Sequence, residues 1–105
     1  MSLAPSPVLV TDDVVAIADV TWRSKATVEG RIRSIRVRPW GDVPTLEVVL
    51  VDHTGGIVLV FLARRQIAGL KLGTRLRVEG TVGSLDDRPS IMNPRYTILP
   101  ALHDG

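Results

Sequence analysis

The stretch Lys25-Ala-Thr-Val-Glu-Gly-Arg-Ile-Arg-Ser-Ile-Arg-Val-Arg-Pro39 has the alternation of polar and apolar residues that is typical of a β-strand. Side chains two positions apart on a strand point to the same face, so Arg31 and Arg33 share one face. The same rule places Arg36 and Arg38 together. The stretch therefore predicts a long strand with two pairs of outward-facing arginines.

The alternation changes phase at Ser34. Val28 and Ile32 lie at even positions, whereas Ile35 and Val37 lie at odd positions. One extra residue at this point, a β-bulge, returns all four arginines to one face and the apolar residues to the other. A long, bulged strand with a cationic outer face is typical of a closed, strongly bent sheet, and it indicates an anionic partner.

Charge is distributed unevenly along the 105 residues, although the net charge is only +2. Residues 22–38 carry six basic side chains against one acidic side chain, and residues 1–21 carry three acidic side chains and no basic one. Eleven of the 13 basic residues are arginines, whose planar fork suits phosphate groups and stacks on bases. A codon preference for arginine together with a solvated strand face explains the same composition, so composition alone leaves both interpretations open.

The composition also excludes several classes of function. The chain has no cysteine, which excludes disulfides, thiolate metal sites and cysteine nucleophiles and favours a cytoplasmic location. We find no signal-peptide pattern and no stretch long enough to cross a membrane. His53 and His103 lack partners at metal-ligand spacing. We therefore expect no enzymatic activity, no metal, no cofactor and no membrane partner.

The chain length predicts one domain, flanked by short tails. We expect an N-terminal tail and short helix over residues 1–23, a barrel over residues 24–99 and a C-terminal tail over residues 100–105. The helix is predicted over Asp13–Asp19, with Thr11 or Asp12 as its N-cap.

The remaining pattern predicts five strands and one helical turn. Ala63–Gly69 interrupts the alternation and favours a helical turn between the third and fourth strands. This layout predicts an all-β fold, a five-stranded Greek-key OB-fold barrel. Asn93-Pro94 interrupts the last strand, which requires an edge or a bulge there. The predicted strands are Ala26–Pro39, Thr45–Asp52, Ile57–Leu62, Thr74–Gly83 and Ser90–Leu99.

A succession of short motifs resembles bacterial OB-fold nucleic-acid-binding domains. The chain is similar to the wedge domain of RecG-type helicases, and closer to small stand-alone bacterial OB proteins with a Leu-Gly-Arg-Arg-x-Ile-x-Gly stretch. That stretch reads Leu62-Ala-Arg-Arg-Gln-Ile-Ala-Gly69 here, with Ala63 in place of the first glycine. The resemblance implies nucleic-acid binding. Its other motifs are Val28-Glu-Gly-Arg-Ile32, Thr45-Leu-Glu-Val-Val-Leu-Val-Asp-His-Thr-Gly55, Val58-Leu-Val-Phe-Leu62, Gly73-Thr-Arg-Leu-Arg-Val-Glu-Gly80 and Asn93-Pro-Arg-Tyr96.

Two further residues complete the candidate binding site. OB-folds bind ligands over the second and third strands, between the loops that join strands one to two and four to five. Trp40 is predicted in the first of these loops, as a stacking platform or as a cap on the barrel. Arg88 is predicted in the second loop, facing the groove or paired with a neighbouring aspartate. Trp22 is predicted to lie in the core between the helix and the strands. The candidate nucleic-acid-binding residues are Arg31, Arg33, Arg36, Arg38, Trp40 and Arg88.

These observations favour a partner of single-stranded DNA or RNA, bound with little sequence specificity. The alternative is a module for protein interaction or self-association, in which the apolar outer positions Val49 and Val51 contact a protein partner or a second copy.

Overall fold

Five strands close into a barrel in the computed structural model, which describes residues 13–101. Neighbouring strands pair in the order β1-β2-β3-β5-β4, and β4 pairs back with β1. Within the described residues, β3 and β5 form a parallel pair, whereas the other pairs in the barrel are antiparallel. The predicted all-β, five-stranded barrel is therefore confirmed. The strands are β1 (Lys25–Trp40), β2 (Val43–Val51), β3 (Gly56–Leu62), β4 (Arg75–Leu85), β5 (Arg88–Met92) and β6 (Arg95–Ile98).

The predicted bulge lies in the middle of β1. Ile32 is opposite Leu50 of β2, but Ser34 is opposite Val49, so Arg33 is the extra residue. Ile32 is buried in the barrel, and beyond the bulge Ile35 packs against the same core. The change of phase in the sequence thus correctly predicted the bulge, because burial of one face determines the register of a strand.

The last predicted strand is split into β5 and β6, which pair with successive parts of β4. Asn93 separates them in a left-handed backbone conformation, with φ of 48°, and Pro94 follows. The Asn93 side chain accepts a hydrogen bond from the Leu62 N–H at 3.0 Å, which fixes this break against the end of β3. The interruption predicted from Asn93-Pro94 is confirmed.

Two predicted helical elements differ from the structure. The helix expected over Asp13–Asp19 is a single 3₁₀ turn, Ile17–Asp19, because the preceding backbone at Val14 forms a β-bridge with Thr27. Its predicted caps, Thr11 and Asp12, lie outside the described residues, as do residues 1–12 and 102–105 of the predicted tails.

The segment between β3 and β4 is a series of turns instead of a helical turn. Ala63 has a positive φ of 61°, which ends regular structure directly after β3. Ile67 and Leu70 from this segment are buried in the barrel core. Within residues 13–101, no helix has the length and apolar character needed to cross a membrane.

Asp52 fastens the N-terminal segment to the turn between β2 and β3. Its Oδ2 accepts a hydrogen bond from the Ile17 N–H at 2.9 Å. Its Oδ1 accepts hydrogen bonds from the Thr54 N–H at 2.7 Å, the Thr54 hydroxyl at 2.6 Å and the Gly55 N–H at 3.0 Å. Partial burial by itself raises the pKa of Asp52, but these four hydrogen bonds favour the carboxylate and lower the pKa from 3.8 to about 2.

We expect Asp52 to make folding stability depend on pH in acid. The folded-state pKa is depressed, so the stabilisation is present above the unfolded-state value of 3.8 and is lost as the pH falls through about 2. It amounts to about 1–2 kcal/mol, allowing for partial exposure. Asp52→Asn should lower the free energy of unfolding by that amount at pH 7, measured by urea denaturation, and the difference should close near pH 2. Asp42→Asn, in the exposed β1–β2 turn, is the control. A difference between wild type and Asp52→Asn that stays constant from pH 7 to pH 2 would contradict the assignment.

Candidate nucleic-acid interface

A cleft of about 480 Å³ lies between the second half of β1 and the hairpin that joins β4 to β5. Val49 of β2 and Val58 of β3 line it from the outer face of the barrel. The cleft therefore occupies the strand face between the two loop regions through which OB-folds bind ligands.

Three of the four predicted strand arginines line one side of this cleft: Arg33, Arg36 and Arg38. The bulge brings them together, because Arg33 is the inserted residue and Arg36 lies opposite the outward-facing Glu47. We call Arg33, Arg36 and Arg38 the arginine wall. About 66% of the Arg36 side chain and 43% of the Arg38 side chain are exposed, so both guanidinium groups are accessible from solvent.

Arg31 lies outside the cleft. It occupies the position where β1 changes partners, opposite Val51 of β2 on one side and Arg75 of β4 on the other. The sequence therefore correctly grouped the arginines on the outer face of one strand, but only the arginine wall lines the cleft. Arg31 instead forms a second cationic position beside Arg75.

Arg88 lines the opposite side of the cleft from the arginine wall. The predicted loop is a tight turn of two residues, Asp86 and Asp87, with φ of 52° and 64°. Two positive φ angles are typical of the type I′ turns of β-hairpins, in which aspartate is common. The turn makes Arg88 the first residue of β5, opposite Leu85, and not a loop residue.

Glu47 is a buried carboxylate beneath the arginine wall, with 5% of the residue exposed. Its Oε1 lies 3.5 Å from Nη1 of Arg38 and 3.8 Å from Nε of Arg36. These distances are long for charge-assisted hydrogen bonds, so Glu47 holds the two arginines loosely and leaves most of their N–H groups free. Glu47 was not among the candidate binding residues, so sequence reasoning missed this role. The signal in the sequence was that Glu47 and Val49 lie two positions apart on β2, so both side chains are on the outer face that the arginines share.

Trp40 is the last residue of β1 and lies opposite Val43, so it is not in a loop as predicted. Its indole N–H donates a hydrogen bond to Oε2 of Glu47 at 3.1 Å. The ring is half-buried. Glu47 thus holds the indole, Arg36 and Arg38 in one cluster, although the indole does not itself line the cleft.

The cleft is cationic, and its charge is partly balanced. Four arginines line it, the arginine wall and Arg88, against the two acids Glu47 and Asp86. Glu47 is almost covered by its partners, whereas the guanidinium groups reach solvent. An approaching anion therefore meets positive charge first. Among the residues that the structure describes, no three histidine, cysteine, aspartate or glutamate side chains cluster as metal ligands do.

Trp22 is not a core residue, contrary to the prediction. It is 59% exposed, in the turn that precedes β1. The Arg23 guanidinium carbon lies 4.3 Å from the centre of its ring, which is a cation–π contact. Ile17, which also precedes β1, is the residue that packs into the core, and it is 2% exposed. The sequence carried a signal for this difference, because Ile17 follows Val14, Val15 and Ala16, whereas Trp22 lies between Thr21 and Arg23.

The two valines of the alternative prediction differ in their surroundings. Val49 is half-buried and lines the cleft beside Glu47. Val51 is half-buried opposite Arg31. They are therefore separate parts of the outer face, and neither belongs to the large hydrophobic residues that are prominently exposed.

Comparison with known proteins identifies the fold. No protein-family model and no curated protein sequence matches this chain. The solved structure of a replication factor A related protein from Methanobacterium thermoautotrophicum matches with a TM-score of 0.68 and 17% identity, over 88% of this chain and 96% of that one. The OB domain of Ta0387 from Thermoplasma acidophilum matches with a TM-score of 0.68 and 18% identity, over 89% and 92% of the two chains.

A part of RecG, solved bound to a three-way DNA junction, is similar as well. It matches with a TM-score of 0.68 and 22% identity, over 86% of this chain and 14% of the RecG chain. All three identities are low, so the likeness establishes the fold and not the activity. Together with the closed five-stranded topology, these matches confirm the predicted OB-fold.

Proposed function

We propose that this protein is a non-catalytic OB-fold module that binds single-stranded DNA or RNA along the cleft, with little sequence specificity. The observation that carries the proposal is the arginine wall, which faces Arg88 across a cleft of about 480 Å³. Guanidinium groups that lie along one strand suit successive phosphates of an extended backbone. We further propose a cytoplasmic location, where such a partner is available.

The shape of the cleft favours a single strand over a duplex. A single strand can lay its phosphates along the arginine wall and turn its bases toward Val49 and Val58. Trp40 does not line the cleft itself, but its indole is bonded to Glu47, which does. In a duplex the two backbones enclose the stacked bases, so only phosphates could touch the cleft rim. Phosphate contacts and base stacking carry little sequence information, which is why we expect weak sequence preference.

The fold likeness to RecG and to a replication factor A related protein supports nucleic acid in general as the partner, since one structure holds a DNA junction and the other is named for replication. A protein-interaction or self-association module is the other outcome of the experiments below. Light scattering distinguishes it, because self-association raises the mass of the protein in solution without nucleic acid.

The salt dependence of binding tests the proposal. Each phosphate neutralised releases counterions, so the slope of log affinity against log salt is about −0.7 per contact for single strands. Two to four contacts give roughly −1.4 to −2.8. Replacing Arg36 and Arg38 together by glutamine should reduce the slope by about 0.7 to 1.4 and weaken binding to all sequences alike. The measurement is fluorescence anisotropy with labelled single-stranded DNA, RNA and duplex over a salt series.

Two matched variants sharpen this test. Arg64→Gln with Arg65→Gln removes the same charge from the exposed β3–β4 connection, away from the cleft, and should leave the slope unchanged. Glu47→Gln keeps an acceptor for the Trp40 N–H but removes the negative charge, so it should strengthen binding by roughly two- to fivefold. Equal affinity of wild type and the Arg36 and Arg38 double variant across the series would overturn the proposal and favour the protein-interaction alternative.

A further inference from the structure

We propose that Trp22 is a second stacking platform, which extends the nucleic-acid track beyond the cleft and around the β4–β5 hairpin. This inference rests on the proposed function, because it assigns a further part of the same ligand to a separate surface. Its ligand is a single strand long enough to leave the cleft past Arg88.

The first argument is that Trp22 is both exposed and held in place. Its turn is fastened to β4 by two backbone hydrogen bonds, from the Arg23 N–H to the Val82 oxygen at 2.8 Å and from the Val82 N–H to the Ser24 oxygen at 2.9 Å. Arg23 has a positive φ of 70°, an unfavourable conformation for a residue with a side chain. An indole that is 59% exposed on a strained but anchored turn is ready to bind a ligand without further ordering.

The second argument is continuity with the cleft. A cavity of about 540 Å³ lies beside Trp22, and Arg88 lines both this cavity and the cleft. Gly55, Gly56 and Gly83 line the cavity without side chains, which leaves room for a flat ring against the indole. The two spaces therefore adjoin each other, with Arg88 at the boundary between them.

The third argument concerns the chemistry of the occupant. An apolar protein segment seated on Trp22 would remove the Arg23 guanidinium from water without offering it a counter-charge, which is costly. A nucleotide supplies both partners, since its base stacks on the indole and its phosphate pairs with Arg23 or Arg88. Arg23 covers one face of the ring only, and most of Trp22 remains exposed. Asp87 and Arg88 are the two charged residues that line the cavity, and Arg23 adds a second positive charge beside it, over the Trp22 ring.

The inference predicts that Trp22 matters only for long ligands. An OB-fold covers about 4 to 16 nucleotides, so an oligothymidylate of about four residues fills the cleft and one of about twelve also reaches Trp22. Trp22→Ala should weaken binding of the twelve-mer roughly five- to tenfold and leave the four-mer unchanged. Trp22→Phe, which keeps an aromatic face, should retain most of the affinity, whereas Trp22→Leu, apolar without such a face, should behave like alanine. Thermal unfolding of each variant verifies that it folds.

A spectroscopic readout checks the same point without truncating Trp22. In Trp40→Phe, whose affinities for both oligonucleotides are first measured separately, Trp22 is the remaining tryptophan. The twelve-mer should quench its fluorescence, and the saturating four-mer should not.

The outcomes separate this inference from the proposed function. If the Arg36 and Arg38 double variant weakens both oligonucleotides but Trp22→Ala weakens neither, the cleft proposal holds and the extension is wrong. If Trp22→Ala weakens binding of the four-mer and the twelve-mer equally, the extension is also wrong, because the effect would not depend on whether the ligand is long enough to reach Trp22. Light scattering gives a further test. If the wild-type protein is a dimer and Trp22→Ala is a monomer, the cavity serves self-association, and the extension is wrong as well. If wild type binds neither oligonucleotide, both proposals fail.

Discussion

Gly30→Ala is expected to lower the free energy of unfolding by about 3 kcal/mol, at the upper end of the range for overpacked substitutions. A Cβ at Gly30 would lie 2.5 Å from the Val51 carbonyl oxygen and 3.0 Å from Cγ of Leu50. The oxygen belongs to the backbone of β2, which is paired with β3 and cannot move away alone. Gly30 immediately precedes the point at which β1 pairs with both β2 and β4, so the close approach is part of barrel closure.

The measurement is thermal or urea unfolding followed by circular dichroism. A loss of this size lowers the melting temperature of a domain of about 100 residues by more than 10 °C. Gly83→Ala on β4 is the matched control, because its Cβ would meet only the Ser90 hydroxyl, at an ordinary 3.6 Å. That change should alter stability by less than about 1 kcal/mol, in the stabilising direction. If both variants unfold alike, the strand corner at Gly30 does not need a glycine.

The second large effect is expected at Trp40. If a base stacks on its ring, Trp40→Ala should weaken oligonucleotide binding by roughly 1–3 kcal/mol, which is about five- to 150-fold. Trp40→Phe keeps the aromatic face but loses the N–H that donates to Glu47, so it should lower stability by about 1 kcal/mol and preserve most of the binding. Anisotropy titrations and unfolding curves of both variants give the two readouts.

The comparison between these variants separates two roles of Trp40. Equal loss of binding for Trp40→Ala and Trp40→Phe would mean that the hydrogen bond to Glu47, and not stacking, is what the ligand requires. A lower melting temperature of Trp40→Ala with intact binding would make the tryptophan a cap on the end of the barrel. Binding loss in the alanine variant alone supports stacking.

The relation between sequence and structure is clearest at the arginine strand. The change of phase at Ser34 predicted the bulge, and the extra residue, Arg33, is where the register shifts. Gly30 and Gly80 are the glycines of the two Val-Glu-Gly stretches, one on β1 and one on β4. At Gly30 and Gly80 a side chain would collide with Val51 and Ile91, respectively. These features could be predicted because side chains on a strand alternate between its two faces. Burial of one face therefore leaves an alternation of polar and apolar residues in the local sequence.

The candidate site was only partly predictable. Arg36, Arg38 and Arg88 lie at the cleft as expected, because strand parity and hairpin position are local properties. Arg31 lies on the same outer face of β1 as the other arginines but outside the cleft, because β1 changes its partner strand at that position. No local pattern states where a long strand leaves one neighbour and joins another.

The sequence by itself determined the strands, the bulge, the break at Asn93-Pro94 and the cationic face, since each follows from alternation or from the backbone limits of glycine, asparagine and proline. Only the tertiary structure decided which side chains meet. It placed Glu47 beneath the arginine wall and against Trp40, and it left Trp22 exposed beside Arg23. These contacts depend on cross-strand register and on closure of the barrel, which are long-range properties that a local sequence pattern does not encode.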